Sequence, residues 1–305
     1  MSGRWPGEEK AQRGSPRHIR AVQAQLAARS RWMWRKLSNG SETQRWSPCV
    51  TLLICSLCRA ELRCEDFWQE WKGLLLASGL TSRSKRPENK DTEDPTELME
   101  EDREHRQCQQ LQCVCYGLGS FSSCAAARYQ LATLLLLLDA GQIPLEDCYV
   151  YDPVFSTGER DVLGKLGLTV LTENEEGKRL ATKPTLFFLM HCGKALYNNL
   201  LWKNWSTQSL SAMTIIGNSF NSMRDRAIDR EFERDYSYIS QAAGVCEERQ
   251  LPCPPRFTDV FSDTAVITFP ASSVKRLPQS TWAEPPEPQY QHCSDLEIIQ
   301  RQTQS

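Results

Sequence analysis

The sequence predicts an α/β fold of the Rossmann-like kind: a mostly parallel sheet with helices on both faces, spanning roughly residues 108–275. Three observations predict it. Short apolar runs alternate with helical stretches from residue 114 onward. The runs are apolar throughout rather than every second residue, as strands buried on both faces are. Each run passes at once into small or polar residues, as strands of an open sheet do at their carboxyl ends. Forty per cent of the 305 residues are hydrophobic, enough for such a core. No 20–50-residue period recurs, which argues against a solenoid.

The elements follow in order. Val114-Cys115-Tyr116 is a short strand that meets Gly117-Leu118-Gly119-Ser120. Ser122 or Ser123 caps the helix that follows, which runs through Ala125, Tyr129 and the leucines Leu134–Leu138 and ends at Asp139 to Gly141. Cys148–Tyr151 is a second strand, broken by Asp152-Pro153. Arg160–Leu166 is a helix stopped by Gly167. Leu168–Leu171, Thr185–Met190 and Met213–Ile216 are the third, fourth and fifth strands, and Ala265–Phe269 is the sixth. Lys194–Trp202 has helical spacing, and Asn221–Tyr236 reads as a charged surface helix.

The flanks differ in composition. Residues 1–64 carry twelve Lys/Arg against four Glu and no Asp. Ala21–Trp34 fits a basic helix, but the surrounding segment has little apolar surface to bury, so residues 1–107 read as largely disordered or as short helices. Residues 83–106 turn acidic, with nine Asp/Glu against six Lys/Arg, and form a solvated linker that marks the boundary near 108. Residues 276–305 form a tail. No apolar region follows MSGRWPGEEK and no run is long enough to span a bilayer, so the sequence predicts a chain without a secretory leader or a membrane span, in the cytoplasm or nucleus. The 13 cysteines then default to reduced thiols, and Cys113, Cys115, Cys148 and Cys192 act as small hydrophobes in apolar runs. A formal charge of −2 gives no whole-chain reason to expect direct nucleic-acid binding.

Function is predicted at the strand ends. The first strand leads to Gly117, Gly119 and Ser120, and the second to Asp152 and Pro153. The fourth leads to His191, Cys192 and Gly193, and the fifth to Gly217, Asn218 and Ser219. In an open parallel sheet these points line one edge, where ligands bind. Singly, each is ordinary turn chemistry; together they predict a ligand pocket. Gly117-x-Gly119 stands where a dinucleotide or adenosyl cofactor would be cradled, but Ser122 replaces the third glycine, and Asp152 lies later than a ribose-binding carboxylate usually does. His191 has the right chemistry for an acid or base and Cys192 for a nucleophile, yet adjacent residues in a strand point to opposite faces. The simpler role for His191 is a local hydrogen bond that orients the loop.

Other motifs fail on inspection. Gly193-Lys194 lacks the other P-loop residues, with Phe188 and Ala195 in their places, and no G-x-S-x-G occurs. Cys49, Cys55, Cys58 and Cys64 contain a single Cys-x-x-Cys pair within TLLICSLCRAEL, which reads as an apolar helix rather than a zinc site. Cys253-Pro254 is a lone Cys-Pro element of the kind found in haem-responsive proteins; Pro252 and Pro255 make a rigid loop the simpler reading.

Several blocks in order resemble one family. They are VCYGLGSFSSCAAARYQLATLLLLL, VYDPVFS, LTENEEGKR, LFFLMHCGKALYNNLLWKNW and IIGNSF, with the tail around Asp295-Leu296-Glu297-Ile298-Ile299. The chain is similar to the family named for sensitivity to red light reduced, over roughly Cys113 to Phe269. The resemblance implies a regulatory protein tied to circadian output, light signalling and haem biosynthesis, and implies no established catalytic residues. Three readings stand together. The first is a regulator that senses a nucleotide-type ligand or haem, or binds an unidentified protein partner, through the strand-end pocket. The second is an enzyme using S-adenosylmethionine or NAD, held by Gly117, Gly119 and Asp152, with His191 or Cys192 as its chemistry. The third is a scaffold using Trp202 and Trp205 as anchors, though Trp202 has the spacing of a core-facing residue.

Overall fold

The structure is a computed structural model and describes residues 48–78, 110–282 and 286–291, together with residues 293, 296 and 298. The segment 21–34 that fits a basic helix, the acidic linker over 83–106 and most of the tail block at 295–299 lie outside the described residues.

Two helices come first, α1 (Pro48–Arg63) and α2 (Asp66–Ala77). The α/β part follows in the order β1 (Gln112–Tyr116), α3 (Ala125–Gly141), β2 (Cys148–Tyr151), α4 (Thr157–Lys165), β3 (Thr169–Val170) and β4 (Thr185–Leu189). It continues with α5 (Lys194–Lys203), α6 (Thr207–Ser211), β5 (Met213–Asn218), α7 (Phe220–Asp225), α8 (Asp229–Asp235) and α9 (Ser237–Ala243). The last elements are β6 (Glu247–Gln250), α10 (Thr258–Phe261), β7 (Thr264–Thr268) and α11 (Ala271–Val274).

The strands form one sheet in the order β3-β2-β1-β4-β5-β7-β6. β1 pairs in parallel with β2 and with β4, in a register that sets Cys113 beside Cys148 and Val114 beside Phe187. β2–β3 and β4–β5 are parallel too. The chain therefore leaves β1 toward β2 and β3, then returns to the other side of β1 as β4. That reversal opens a crevice at the carboxyl ends of β1 and β4.

The sheet is mostly parallel, as expected, and the far edge holds its antiparallel part. β7 runs antiparallel to both β5 and β6. Between β6 and β7 the longest α-helix is the four-residue α10, about 6 Å long, too short to carry the chain back along the sheet for a parallel crossover. β6 itself reads Glu-Glu-Arg-Gln and has no apolar signature. It is an edge strand, mostly exposed and charged, as edges that avoid pairing with other chains are.

Two apolar layers sandwich the sheet. On one face Cys113, Cys115, Val150, Leu186 and Phe188 meet α3, α4 and α10; on the other Val114, Phe187, Leu189 and Ile215 meet α5, α7, α8 and α9. All five leucines of Leu134–Leu138 are buried. A helix apolar all round needs cover on its outer side as well as its sheet side. α1 and α2 supply that cover: Ile54, Leu62, Phe67 and Trp71 join the same core as the leucines. The boundary expected near 108 leaves this pair outside the α/β domain, but their side chains complete its core. Cys55 and Cys58 face inward from α1, and burial pushes their thiols up to about 11 and about 12, so they are neutral packing groups.

Two local expectations are corrected. The N-cap of α3 is Cys124, with no side-chain cap; the Ser122 and Ser123 hydroxyls instead approach Ser120 Oγ at 3.2 and 2.8 Å. The charged helix expected over 221–236 is two helices, α7 and α8. Met223 and Phe232 are nine positions apart, half a turn out of phase on one helix, and both are buried in the same layer. The break after Asp225 lets both face inward.

Candidate functional site

The crevice is built from backbone turns. β1 ends at Tyr116, and Gly117 follows with φ +68°. The left-handed φ favours glycine, and a Cβ on Gly117 would lie 2.4 Å from Cys192 Sγ, so the thiol of the β4 loop would have to turn aside to admit one. After β2, the buried Asp152 carboxylate turns back: Oδ2 accepts from the Gly119 N–H at 2.7 Å and Oδ1 from the Val154 N–H at 2.9 Å. The next carboxylate, Glu159, belongs to a capping box at the start of α4 with Ser156. Its Oε1 accepts from the Ser122 N–H and the Ser120 hydroxyl, each at 2.9 Å. Burial alone would raise the Glu159 pKa, but these donors and Ser156 together outweigh it and hold the carboxyl below its ordinary value.

The loop after β3 roofs the crevice and is pinned from below. Tyr116 donates its hydroxyl proton to Glu175. Asn199 donates to the Glu176 carbonyl at 2.9 Å. The fully buried Asn204 accepts from Ala181 N–H at 2.7 Å and donates to the Arg179 carbonyl at 2.8 Å. Its side chain is thus consumed internally. At Gly177, φ is +77° and a Cβ would meet the Leu196 carbonyl oxygen at 2.6 Å, so the roof lies directly on α5. Burial and the Glu175 contact push the Tyr116 phenol well above its ordinary pKa, which keeps it a neutral donor.

Beneath this roof is a cavity of about 300 Å³. Of the sequence-predicted residues, Gly117, Asp152, Pro153, His191, Cys192 and Gly193 line it. Asn218 lines a smaller cavity of about 220 Å³ on the far side of His191 and Cys192, with Lys194, Met223 and Arg226. Gly119 and Ser120 sit in the turn behind the first cavity, tied to Asp152 and Glu159. Ser219 is buried: it caps α7 by accepting from Ser222 N–H at 3.0 Å and donates to Glu248, so its polar contacts are internal.

His191 and Cys192 occupy the wall between the two cavities. His191 takes a left-handed backbone, φ 54°, which supplies the bend that a strand could not. Its Nε2 lies 2.8 Å from the Val260 carbonyl oxygen, and the Cys192 thiol lies 3.4 Å from the Tyr116 carbonyl oxygen. His191 thus makes the local, loop-orienting contact expected of the simpler reading. Cys253 lies elsewhere, packed beneath the sheet near Trp71, whose indole N–H donates to the Pro252 carbonyl at 2.8 Å. Trp205 is not an exposed anchor: it is buried, donates to the Thr281 carbonyl at 2.9 Å and packs edge-on to Tyr238. Trp202 is half-buried.

Tyr116, Tyr151, Asn174, Glu176, Leu196 and Ile298 also line the first cavity, and none was singled out from the sequence. Tyr116 and Tyr151 are the last residues of β1 and β2, so the strand-end rule reaches them when extended by one position. Asn174 and Glu176 follow β3, the one parallel strand whose end that reading passed over. Ile298 lies in the tail block that resembles the family, but nothing in that block ties it to the strand ends; it reaches the cleft only through the fold.

The SRR1 domain matches residues 96–268, more than half of the chain and all seven strands. This chain belongs to the SRR1 domain family. The chain is 54% identical over 134 residues to the SRR1-like protein of Mus musculus, covering 44% of this chain and 54% of the mouse protein. It is 36% identical over 153 residues to Protein SENSITIVITY TO RED LIGHT REDUCED 1 of Arabidopsis thaliana, covering 50% and 52%. The SRR1-like protein of Drosophila melanogaster is 31% identical over 161 residues, covering 53% and 56%. The chain spans about half the length of the curated relatives it matches. No solved structure matches. Among the described residues no helix is long and apolar enough to cross a membrane.

Proposed function

We propose that this SRR1-domain chain is a regulatory protein that responds to a small molecule held in the cleft between the β1, β2 and β4 loops. Its outputs are haem biosynthesis and circadian clock gene expression, exerted from the cytoplasm or nucleus. The carrying observation is the cavity of about 300 Å³ at the switch point, lined by residues from four separate strand-end loops. The name of the Arabidopsis relative describes a light-response phenotype of that protein and supports a signalling role. Haem and clock control come from the family resemblance. The local contacts of His191 and Cys192 favour binding over catalysis: the imidazole is turned to the Val260 backbone carbonyl rather than to a carboxylate that would orient it as a base.

The test uses Ile298→Trp, which fills the cleft from the tail and leaves the sheet and its turns untouched. Cells carrying it in place of the natural chain should lose the haem and clock-gene response at unchanged protein level. An unchanged response would rule out the cleft as the working site.

A further inference from the structure

We propose that the cleft takes a phosphate-free, positively charged adenosyl ligand of the S-adenosylmethionine class and rejects dinucleotides. This rests on the reading above that the cleft binds a small molecule.

The first argument is the state of the turn after β1. In a dinucleotide-binding Rossmann domain the backbone N–H groups of this turn receive the pyrophosphate. Here two of them are already satisfied by carboxylates: Gly119 N–H by Asp152 at 2.7 Å and Ser122 N–H by Glu159 at 2.9 Å. Both carboxylates are buried, at 5% and 2% exposure, and both have further partners that fix them. A phosphate entering this turn would have to displace two buried anions or sit beside them. Neither is favourable at short range in a poorly hydrated site.

The second argument is the lining. Its formally charged groups are the carboxylates of Asp152 and of Glu176, and Glu176 is ion-paired with Lys178 of the roof at 2.7 Å; no Lys or Arg is itself among the lining residues. Tyr116 and Tyr151 add aromatic rings, and Leu196 and Ile298 add apolar surface. That combination suits a planar ring joined to a cationic centre, through stacking and cation–π contact. It opposes haem, whose propionates are anionic. Asp152 stands at the end of β2, where a carboxylate accepts ribose hydroxyls. Each of its oxygens accepts from one backbone amide and has the capacity for a second donor. The third argument is size: about 300 Å³ is at the small end of ligand pockets, suited to one nucleoside rather than two.

The experiment is isothermal titration of the full purified chain with S-adenosylmethionine, S-adenosylhomocysteine, NAD and ADP, with native mass spectrometry for co-purifying species. The expected result is saturable binding of one S-adenosyl compound per chain, with NAD and ADP weaker by about tenfold or more. Ile298→Arg, which adds a cation at the cleft without touching the turn, should weaken S-adenosylmethionine by about tenfold, and S-adenosylhomocysteine, which lacks the sulfonium charge, by less. NAD or ADP binding as tightly as the S-adenosyl compounds overturns the inference and leaves cleft binding intact. So does a different co-purifying molecule that Ile298→Trp expels. Absence of any bound small molecule, together with a normal cellular response of Ile298→Trp, overturns both this inference and the proposed function.

Discussion

Two residues decide the shape of the cleft more than their size suggests. Gly117 combines a left-handed backbone with a neighbour, Cys192, that leaves no space for a Cβ. Gly117→Ala should destabilise by about 1–3 kcal/mol in urea titrations. In a Cys192→Ala background the cost should fall to the backbone part alone, about 1 kcal/mol, because the crowding atom is the sulfur. Equal costs in both backgrounds would show that the thiol is not the obstacle. Glu159 makes a pH prediction. Its folded pKa is depressed, so the stability it contributes is present above the ordinary glutamate value and is lost as pH falls through the folded one. Glu159→Gln should therefore lower stability at neutral pH and flatten the loss between about pH 5 and pH 3, read from denaturation midpoints across that range. The glycines and Asp152 were legible as strand-end residues. Their roles were not, because the contacts that define them come from segments 33 to 75 positions away.

At the scale of elements, the instructive case is the pair α1 and α2. Read alone, this basic N-terminal region has little to bury. Read against α3, it covers a helix whose five consecutive leucines have no polar side to show to water. Trp71 is the keystone: fully buried, hydrogen-bonded to Pro252, and edge-on to Phe67 and Phe261. Trp71→Ala should cost about 3–5 kcal/mol, measured by chemical denaturation. A cost under about 1 kcal/mol would mean that the pair is dispensable decoration. The roof loop offers a second test at this scale. Asn204→Ala removes the partners of Ala181 N–H and the Arg179 carbonyl, both near the end of the roof. It should speed amide exchange across residues 174–183 while leaving β4 and β5 protected. Protection unchanged in that stretch would show that Asn204 does not hold the roof.

For the whole molecule, a shared core predicts shared unfolding. The intact chain should melt in one transition by tryptophan fluorescence and by far-ultraviolet dichroism. Removing residues 1–78 should lower the midpoint by about 10 °C or more, since it strips the outer cover from α3. Two separate transitions in the intact chain would instead mark α1 and α2 as an independent unit. The cleft belongs to this scale as well. Loops after β1, β2, β3 and β4 and residue 298 of the tail meet at one cavity.

The sequence by itself determined the α/β class, most of the strands, the family and the edge of the sheet at which the cleft opens. Those features are written in local pattern: apolar runs long enough for a doubly buried strand, then turn residues where the chain leaves the sheet. Tertiary structure alone decided the rest. It reversed β7, because α10 is too short for a crossover, and it recruited the charged segment Glu247–Gln250 as an edge strand through backbone pairing that needs no apolar side chain. It placed α1 and α2 over the leucine helix and brought Ile298 to the cleft. It also filled the glycine-rich turn with Asp152 and Glu159, turning what the sequence presents as a partial phosphate cradle into an acidic wall. Each of these depends on distance between residues far apart in the chain, which no window of local sequence contains.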